Sequence, residues 1–298
     1  MLIRKLVLVM LYVFGGIEYD LSAEEIPTPL RFMCDKAQII GVATCIGIDT
    51  TKIIDCPHDT RAQLHFGRII KGNKKDSIIT SHLFTGLVCP EPARLWTGDI
   101  ALVFLCDYGK ESGAFDICAN HRGAKHLNED AMNVYIERIE EYFQIPAEDP
   151  DRKEQLIEWL VKCAVDSVTR WEGVYDLAAN WGIKVEPEPS TILTFEQQQR
   201  MYEAILSMSK IYDIEMTMLS FVDELVDKRI QSQLIDYITR RYFGHHVGNA
   251  MIYLSKLLNL KEGLLIANKY NQIKWGSSRY SEQTRLIEEF KIILAGDR

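Results

Sequence analysis

Several familiar signatures are missing from this sequence. It holds no Gly-rich phosphate loop, no Gly-X-Ser-X-Gly and no His-Glu-X-X-His. That removes the sequence case for a P-loop nucleotide enzyme, a nucleophile-elbow hydrolase and a zincin-type metalloprotease. It lacks a basic surplus. The net charge of −8 argues against a general nucleic-acid binder, which needs cations for phosphates. No Asn-X-Ser/Thr sequon occurs, which fits a bacterial envelope protein better than a glycosylated secreted one. The one unbroken apolar run of note, Leu6 to Phe14, is too short for a bilayer, which takes ~20 residues. After residue 118 cysteine all but disappears, with Cys163 alone.

The short apolar run has a purpose of its own. Arg4 and Lys5 precede it, Gly15 and Gly16 end it, and a more polar stretch closes on Leu21-Ser22-Ala23. Basic start, apolar core and small residues at the end are the parts of a cleavable signal peptide. Residues 1–23 are therefore expected to direct export, to a secreted or periplasmic/cell-envelope location, with no membrane span after cleavage. The alternatives are an uncleaved anchor or a buried first strand.

At 47% hydrophobic, the 298 residues suffice for one large or two ordinary domains. Charge and cysteine divide the chain alike. Residues 24–123 hold 11 Lys/Arg against 12 Asp/Glu, while 124–298 hold 21 against 28. Cys34, Cys45, Cys56, Cys89, Cys106 and Cys118 all fall in the first part. In an exported domain such thiols are expected to form disulfides, with a connectivity that sequence cannot choose.

The two parts also differ in rhythm. Gln38 to Ile48 is rich in β-branched residues. Arg61 to Ile70 alternates, with Ala62, Leu64 and Phe66 on one face and Gln63 and His65 on the other. Lys71-Gly72-Asn73 supplies a turn before Asp76 to Thr85. Ile100 to Cys106 is apolar on both faces, as a central strand is, and Ala114 to Cys118 returns after a polar, Gly-containing turn. Five strands in so short a span predict a small closed β-barrel or sandwich.

From about Lys125 the spacing becomes helical. Leu156, Trp159, Leu160, Cys163 and Ala164 form one buried stripe, with Asp149-Pro150 as its expected start. Thr194 and Gln197 have the spacing of a capping box. Further stripes are Met218, Phe221, Val222 and Leu225; Leu234, Tyr237 and Ile238; Met251, Leu254 and Leu258; and Leu286, Phe290, Ile293 and Leu294. Residues 182–190, with two prolines and no period, read as a connection. A helical bundle and an array of helical hairpins are both compatible with this pattern.

The β half resembles the netrin-like domain shared with tissue inhibitors of metalloproteinases. The resemblance rests on ordered pieces: Lys36-Ala37-Gln38-Ile39-Ile40-Gly41-Val42, Gly67-Arg68-Ile69-Ile70-Lys71-Gly72, and Cys89 ahead of Trp96-Thr97-Gly98-Asp99. Ala101-Leu102-Val103-Phe104-Leu105 and Cys118 complete it. It implies a five-stranded OB-type barrel and a Cys89–Cys118 disulfide, leaving Cys34, Cys45, Cys56 and Cys106 unassigned. Closing that loop would contribute roughly 3–4 kcal/mol on an entropic model. In the helical half, Glu158 to Ala164 followed by Thr169-Arg170-Trp171-Glu172-Gly173 resembles a segment of uncharacterised bacterial exported proteins. The inhibitors of the netrin-like family chelate the protease zinc through an N-terminal Cys. Cut after Ala23, this chain carries Cys34 inside it, with Lys36 where the second Cys of a Cys-X-Cys pair would stand. Metalloprotease inhibition through Cys34 is thus the alternative, and a binding module the main expectation.

Other candidate groups have plainer readings. Cys56-Pro57-His58 offers only two metal ligands, too few for zinc. His121 and His126 have no Cys at metal spacing. His245-His246 precedes a helix as N-terminal residues. Cys163 lies on an apolar stripe as a buried thiol. Trp171, Tyr175 and Trp181 either line a groove or belong to the core. An envelope hydrolase with scattered carboxylates is a further alternative, without a motif. The expectation is an α+β protein: signal peptide over 1–23, netrin-like OB-type β domain over 24–123 and helical domain over 124–298. It is read as non-enzymatic, without cofactor or metal, taking a protein or carbohydrate ligand and no nucleic acid.

Overall fold

The structure, a computed structural model, describes residues 28–50, 59–72, 78–84, 93–107, 114–179, 192–244, 246–274 and 278–296. The signal peptide expected over 1–23 and the connection at 182–190 lie outside these residues.

The first part builds a short helix and six strands: α1 (Leu30–Lys36), β1 (Ile39–Asp49), β2 (Asp59–Lys71), β3 (Ile78–Phe84), β4 (Ile100–Cys106), β5 (Ala114–Ile117) and β6 (Ala124–Lys125). The first five strands close in the order β1-β2-β3-β5-β4, with β4 returning to β1. All pairings are antiparallel except β3 with β5, which is parallel. This is a closed, mixed, OB-like barrel. The five expected strands match these elements, with ends displaced by up to a few residues.

Alternation dictates the barrel. Ala43, Cys45, Ala62, Leu64, Phe66, Val103 and Leu105 point inward and are buried together. β1 must bend to pair with two neighbours, and its register with β2 shifts at three places. At the first shift, Gly41 comes so close to β2 that a Cβ would lie 2.3 Å from the Arg68 carbonyl oxygen. A glycine at a bulge admits that approach.

The outer face of β4 explains its doubly apolar sequence. Leu102 and Phe104 are fully buried although they point away from the barrel interior. Helix α1, which lies before the strand-like stretch and was not anticipated, packs on β4 and buries Leu30, Met33 and Cys34. Lys71 Nζ at the end of β2 donates to the carbonyls of Cys34 (2.8 Å) and Asp35 (3.3 Å). It thereby satisfies acceptors that the last turn of a helix leaves open.

Helices follow: α2 (Glu129–Gln144), α3 (Arg152–Val165), α4 (Arg170–Ala179), α5 (Phe195–Leu206), α6 (Asp213–Leu219), α7 (Gln231–Thr239), α8 (Val247–Leu258), α9 (Lys261–Asn271) and α10 (Arg279–Gly296). The chain forms two compact units that divide inside α2, between Ile139 and Glu140. In the second unit α3 packs on α4, α7 on α8, α8 on α9 and α9 on α10, while α5 packs chiefly on α3 and α6 chiefly on α4.

Local chemistry sets these helices. The Thr194–Gln197 capping box is formed in full at the start of α5. The stripe from Leu156 to Ala164 is buried as expected. Asp149 acts differently from the expected cap: α3 begins at Arg152, and the Asp149 carboxylate accepts from Asp151 N (2.8 Å) and Gln155 Nε2 (3.0 Å). The stripe Met218 to Leu225 is not one helix. Helix α6 ends at Leu219, Phe221 and Val222 are buried in a turn, and a 3-10 turn takes Asp223–Leu225. The similar spacing of 3-10 and α turns makes the two indistinguishable in sequence.

The Thr169 to Gly173 segment forms the corner between α3 and α4. Thr169 Oγ1 donates to Cys163 O at 3.1 Å; Arg170 Nε donates to Ala164 O at 3.1 Å and its NH2 group to Val165 O at 3.2 Å. Gly173 lets the two helices cross closely, since a Cβ would stand 2.4 Å from the Leu160 carbonyl oxygen.

Candidate functional site

Closure of the barrel removes the strand edges on which a peptide could add by backbone pairing. What the strands β1 to β4 offer instead is side chains on their outer face. Pairing places Thr44 directly opposite both Ile100 on β4 and His65 on β2. His65 in turn stands opposite Ile78 on β3. Ile100, Thr44, His65 and Ile78 therefore form one row across four strands. The residues flanking each of them, Ala43, Cys45, Leu64, Phe66, Ile79 and Ala101, point inward and are buried. The row ends in two isoleucines whose exposure is 59% and 54%.

A second row runs beside it. Gln63 lies opposite Gly47 and Thr80, next to exposed Ile46 at the β1 bulge. Farther along, Arg61 stands between Asp49 and His82. The face thus combines exposed isoleucines with hydrogen-bonding groups, with Asp49 and Arg61 toward one end and exposed Arg68, opposite Val42, toward the other. Such a mixture suits a neutral, partly apolar ligand surface and gives no stripe of cations for a phosphate backbone.

The turn before β4 borders this face. Asp99 N donates to Trp96 O (3.0 Å) while the Asp99 carboxylate accepts from Trp96 N (2.8 Å). Gly98 N donates to Cys45 O at 2.7 Å, and Cys45 N to Asp99 O at 2.9 Å, which locks the turn onto β1. The turn holds the Trp96 indole 60% exposed. His126 supports it from the side. Its Nε2 lies 2.8 Å from the Arg94 carbonyl oxygen, its Nδ1 lies 3.9 Å from Asp99 Oδ2, and its ring centre is 6.5 Å from that of Trp96.

The cysteines correct one expectation. Cys118 is bonded to Cys106, not to Cys89. Register is the reason: Leu105 pairs with Ile117 and Cys106 with Asp116, so the two half-cystines fall diagonally across adjacent strands, with Cα atoms 5.4 Å apart. That separation is ordinary for a disulfide. Cys89 itself, Cys56 and His58 lie outside the described residues. Cys45 is a free thiol inside the barrel. Burial pushes its pKa up, its contact with the Gly47 carbonyl oxygen opposes this, and Asp99 adds to it. Cys34, the residue of the inhibitor alternative, is buried in α1, and its carbonyl oxygen accepts from Lys71 Nζ at 2.8 Å. A cavity of about 400 Å³ lies between Phe32, Met33, Lys36, Cys106 and Cys118.

The remaining candidates are dispersed. Cys163 is buried on the apolar stripe of α3. His121 falls in the 3-10 turn Asn120–Gly123. His246 precedes α8 as its N-cap residue, with Nε2 3.4 Å from Thr217 Oγ1; His245 and Trp181 are outside the described residues. Trp171 and Tyr175 stack on each other one helical turn apart, ring centres 5.0 Å apart. A groove in the second unit brings Glu141, Glu154 and Glu158 around Trp159, but Glu141 is bound to Lys162, and Glu158 accepts from Arg200 at 2.5 Å and Gln197 at 3.0 Å. Among the described residues no three His, Cys, Asp or Glu side chains are grouped to hold a metal ion, and no helix is long and apolar enough to cross a membrane. Comparison of the chain with protein-family models, with curated proteins and with solved structures finds no match.

Proposed function

We propose that this protein is an exported, non-enzymatic binding module. Its netrin-like barrel engages a protein ligand through the outer face of β1 to β4, and its helical part serves as scaffold. The observation that carries the reading is the row Ile100–Thr44–His65–Ile78, which leaves two isoleucines more than half exposed on a rigid closed sheet. Apolar side chains set among neutral polar ones, on a backbone that need not reorganise, give a surface that loses little entropy on binding. Export rests on the signal-like residues 1–23, and the cysteine-rich first part suits an oxidising compartment.

A carbohydrate ligand is the second reading. The exposed Trp96 indole favours it, because an aromatic plane at the border of a polar face is a platform for a sugar ring.

Capture from envelope extracts on the immobilised full chain, compared with an Ile78→Lys/Ile100→Lys variant, tests the proposal. Ligand retained by the native chain and lost by the folded variant supports it. Equal capture by both overturns it. Loss on Trp96→Ala alone, together with displacement from the native chain by free oligosaccharide, selects the carbohydrate reading.

A further inference from the structure

Strand alternation places the Cys106–Cys118 disulfide outside the barrel. Leu105 and Ile117 belong to the inward core, so their neighbours Cys106 and Cys118 point to the outer side. Helix α1 packs on that side of β4, but its cover stops short of the disulfide. The cavity of about 400 Å³ lies there, between one face of α1 and the two half-cystines. Phe32 and Lys36 stand one helical turn apart on that face, and Gln38, Asp107 and Ala119 also line the space. Cys106 keeps 8% of its surface in solvent and Cys118 3%, whereas the free thiols Cys34, Cys45 and Cys163 keep none. The disulfide is thus the one sulfur group among the described cysteines that a small molecule can reach.

Charges of both signs surround the cavity. The Lys36 ammonium lies 5.4 Å from the centre of the Phe32 ring and has no carboxylate partner among the described residues. Asp107 lines the cavity, and Asp116 stands opposite Cys106 in the register of β4 with β5. A small molecule that carries one carboxylate and one ammonium group meets both signs. The backbone at the disulfide is also unusual. Ala119, directly after Cys118, holds φ 54°, in the left-handed region that is unfavourable to a residue with a Cβ. Strained backbone of this kind collects at functional sites. Besides the disulfide, β5 is joined to β4 by the pairs Leu105 with Ile117 and Cys106 with Asp116, and by the bond from Cys118 N to Phe104 O at 2.8 Å. Opening the disulfide leaves this side of the barrel closed by that short pairing alone.

We infer that this cavity is a thiol–disulfide exchange site for a small amino-acid thiol, one bearing a carboxylate and an ammonium group. Its volume is in the range of small-molecule sites. The thiolate of the small molecule attacks Cys106 Sγ, the more exposed sulfur, and forms a mixed disulfide with it, while Lys36 receives the carboxylate. The Cys106–Cys118 bond breaks, its electron pair stays on Cys118 Sγ, and that thiolate takes a proton from water. A second molecule of the thiol then attacks the adduct, leaves as the small-molecule disulfide and returns Cys106 as a thiol. Two small thiols are oxidised to one disulfide, and the protein's disulfide is reduced to two thiols. The site lies at the opposite end of β4 from Ile100 and does not rest on the binding role proposed for the outer face.

Incubation of the folded, unreduced full chain with millimolar L-cysteine, followed by quenching with N-ethylmaleimide and peptide mapping, tests this. The native chain should carry a cysteinyl adduct on Cys106 and N-ethylmaleimide on Cys118, while its circular dichroism remains that of the folded protein. Lys36→Met should slow this reaction roughly fivefold, the fold-change of an exposed ion pair, and should leave the rate with neutral 2-mercaptoethanol unchanged. Lys36→Arg should restore the rate with cysteine. Lys36 is exposed, and circular dichroism confirms that both variants fold. A disulfide that resists both thiols until urea unfolds the chain overturns the inference. So does a Lys36→Met variant that slows both thiols alike or neither, and so does an adduct carried by Cys118 in place of Cys106.

Discussion

Ile100 and Ile78 stand at the two ends of one cross-strand row, separated by Thr44 and His65, and each keeps more than half of its side chain in solvent. Neither contributes much to the barrel's interior, so their effects on stability and on binding are separable. Ile78→Lys and Ile100→Lys are expected to change unfolding free energy by about 0.5 kcal/mol or less, as surface substitutions do. Leu64→Ala and Leu105→Ala, at neighbouring inward positions, are expected to cost about 2–5 kcal/mol each. Urea unfolding of the four variants checks the contrast.

The Cys106–Cys118 disulfide closes a short loop between β4 and β5. On the chain-entropy model it contributes about 3 kcal/mol. Peptide mapping without reduction should recover Cys106 linked to Cys118. Cys106→Ser/Cys118→Ser should lower the melting temperature of the barrel, and the reduced native chain should melt with the variant.

The Arg170–Glu215 pair is buried in the helical unit at 3.3 Å. Glu215 also accepts from Tyr212 N at 2.8 Å, and Arg170 holds the end of α3. Removing one partner strands a buried charge. Arg170→Met alone or Glu215→Leu alone should therefore cost about 3–5 kcal/mol, while the double replacement should cost less than the two singles together. A double-mutant cycle by chemical denaturation measures this.

Alkaline stability follows from the tyrosines. Burial, with a smaller contribution from Asp223, pushes Tyr253 up to about 12. Burial also raises Tyr237, whose hydroxyl donates to Asp213 Oδ1 at 2.5 Å. An unfolded tyrosine ionises near ~10. The folded state therefore binds these protons more tightly, and the resulting stability is complete below pH ~10 and is lost as pH rises through the folded values. Tyrosinate absorbance should show a late-titrating group that Tyr253→Phe removes, and unfolding should accompany the last tyrosines to ionise.

Much of this architecture was legible because alternation and helical spacing are local. The inward set Ala62, Leu64 and Phe66 and the stripe Leu156 to Ala164 needed nothing beyond their own segments. Helix α1 escaped notice because seven residues span too few turns for a period to emerge. Its existence nonetheless explains why Leu102 and Phe104 are apolar on the outward side of β4. The disulfide partner of Cys118 depends on the register of β4 with β5, which no single strand encodes. The row of Ile100, Thr44, His65 and Ile78 is hidden for the same reason, since it draws one residue from each of four strands and only their pairing aligns them.

The central claim, that the outer face of β1 to β4 binds a ligand protein, is tested most directly by a photo-cross-linking residue placed at position 78 in the full chain. Irradiation in envelope extracts should yield a discrete protein adduct. The adduct should disappear with Ile100→Lys at the far end of the row, and should be absent when the cross-linker stands at position 195 on α5. An adduct of equal yield from positions 78 and 195, or none from position 78, would contradict the account.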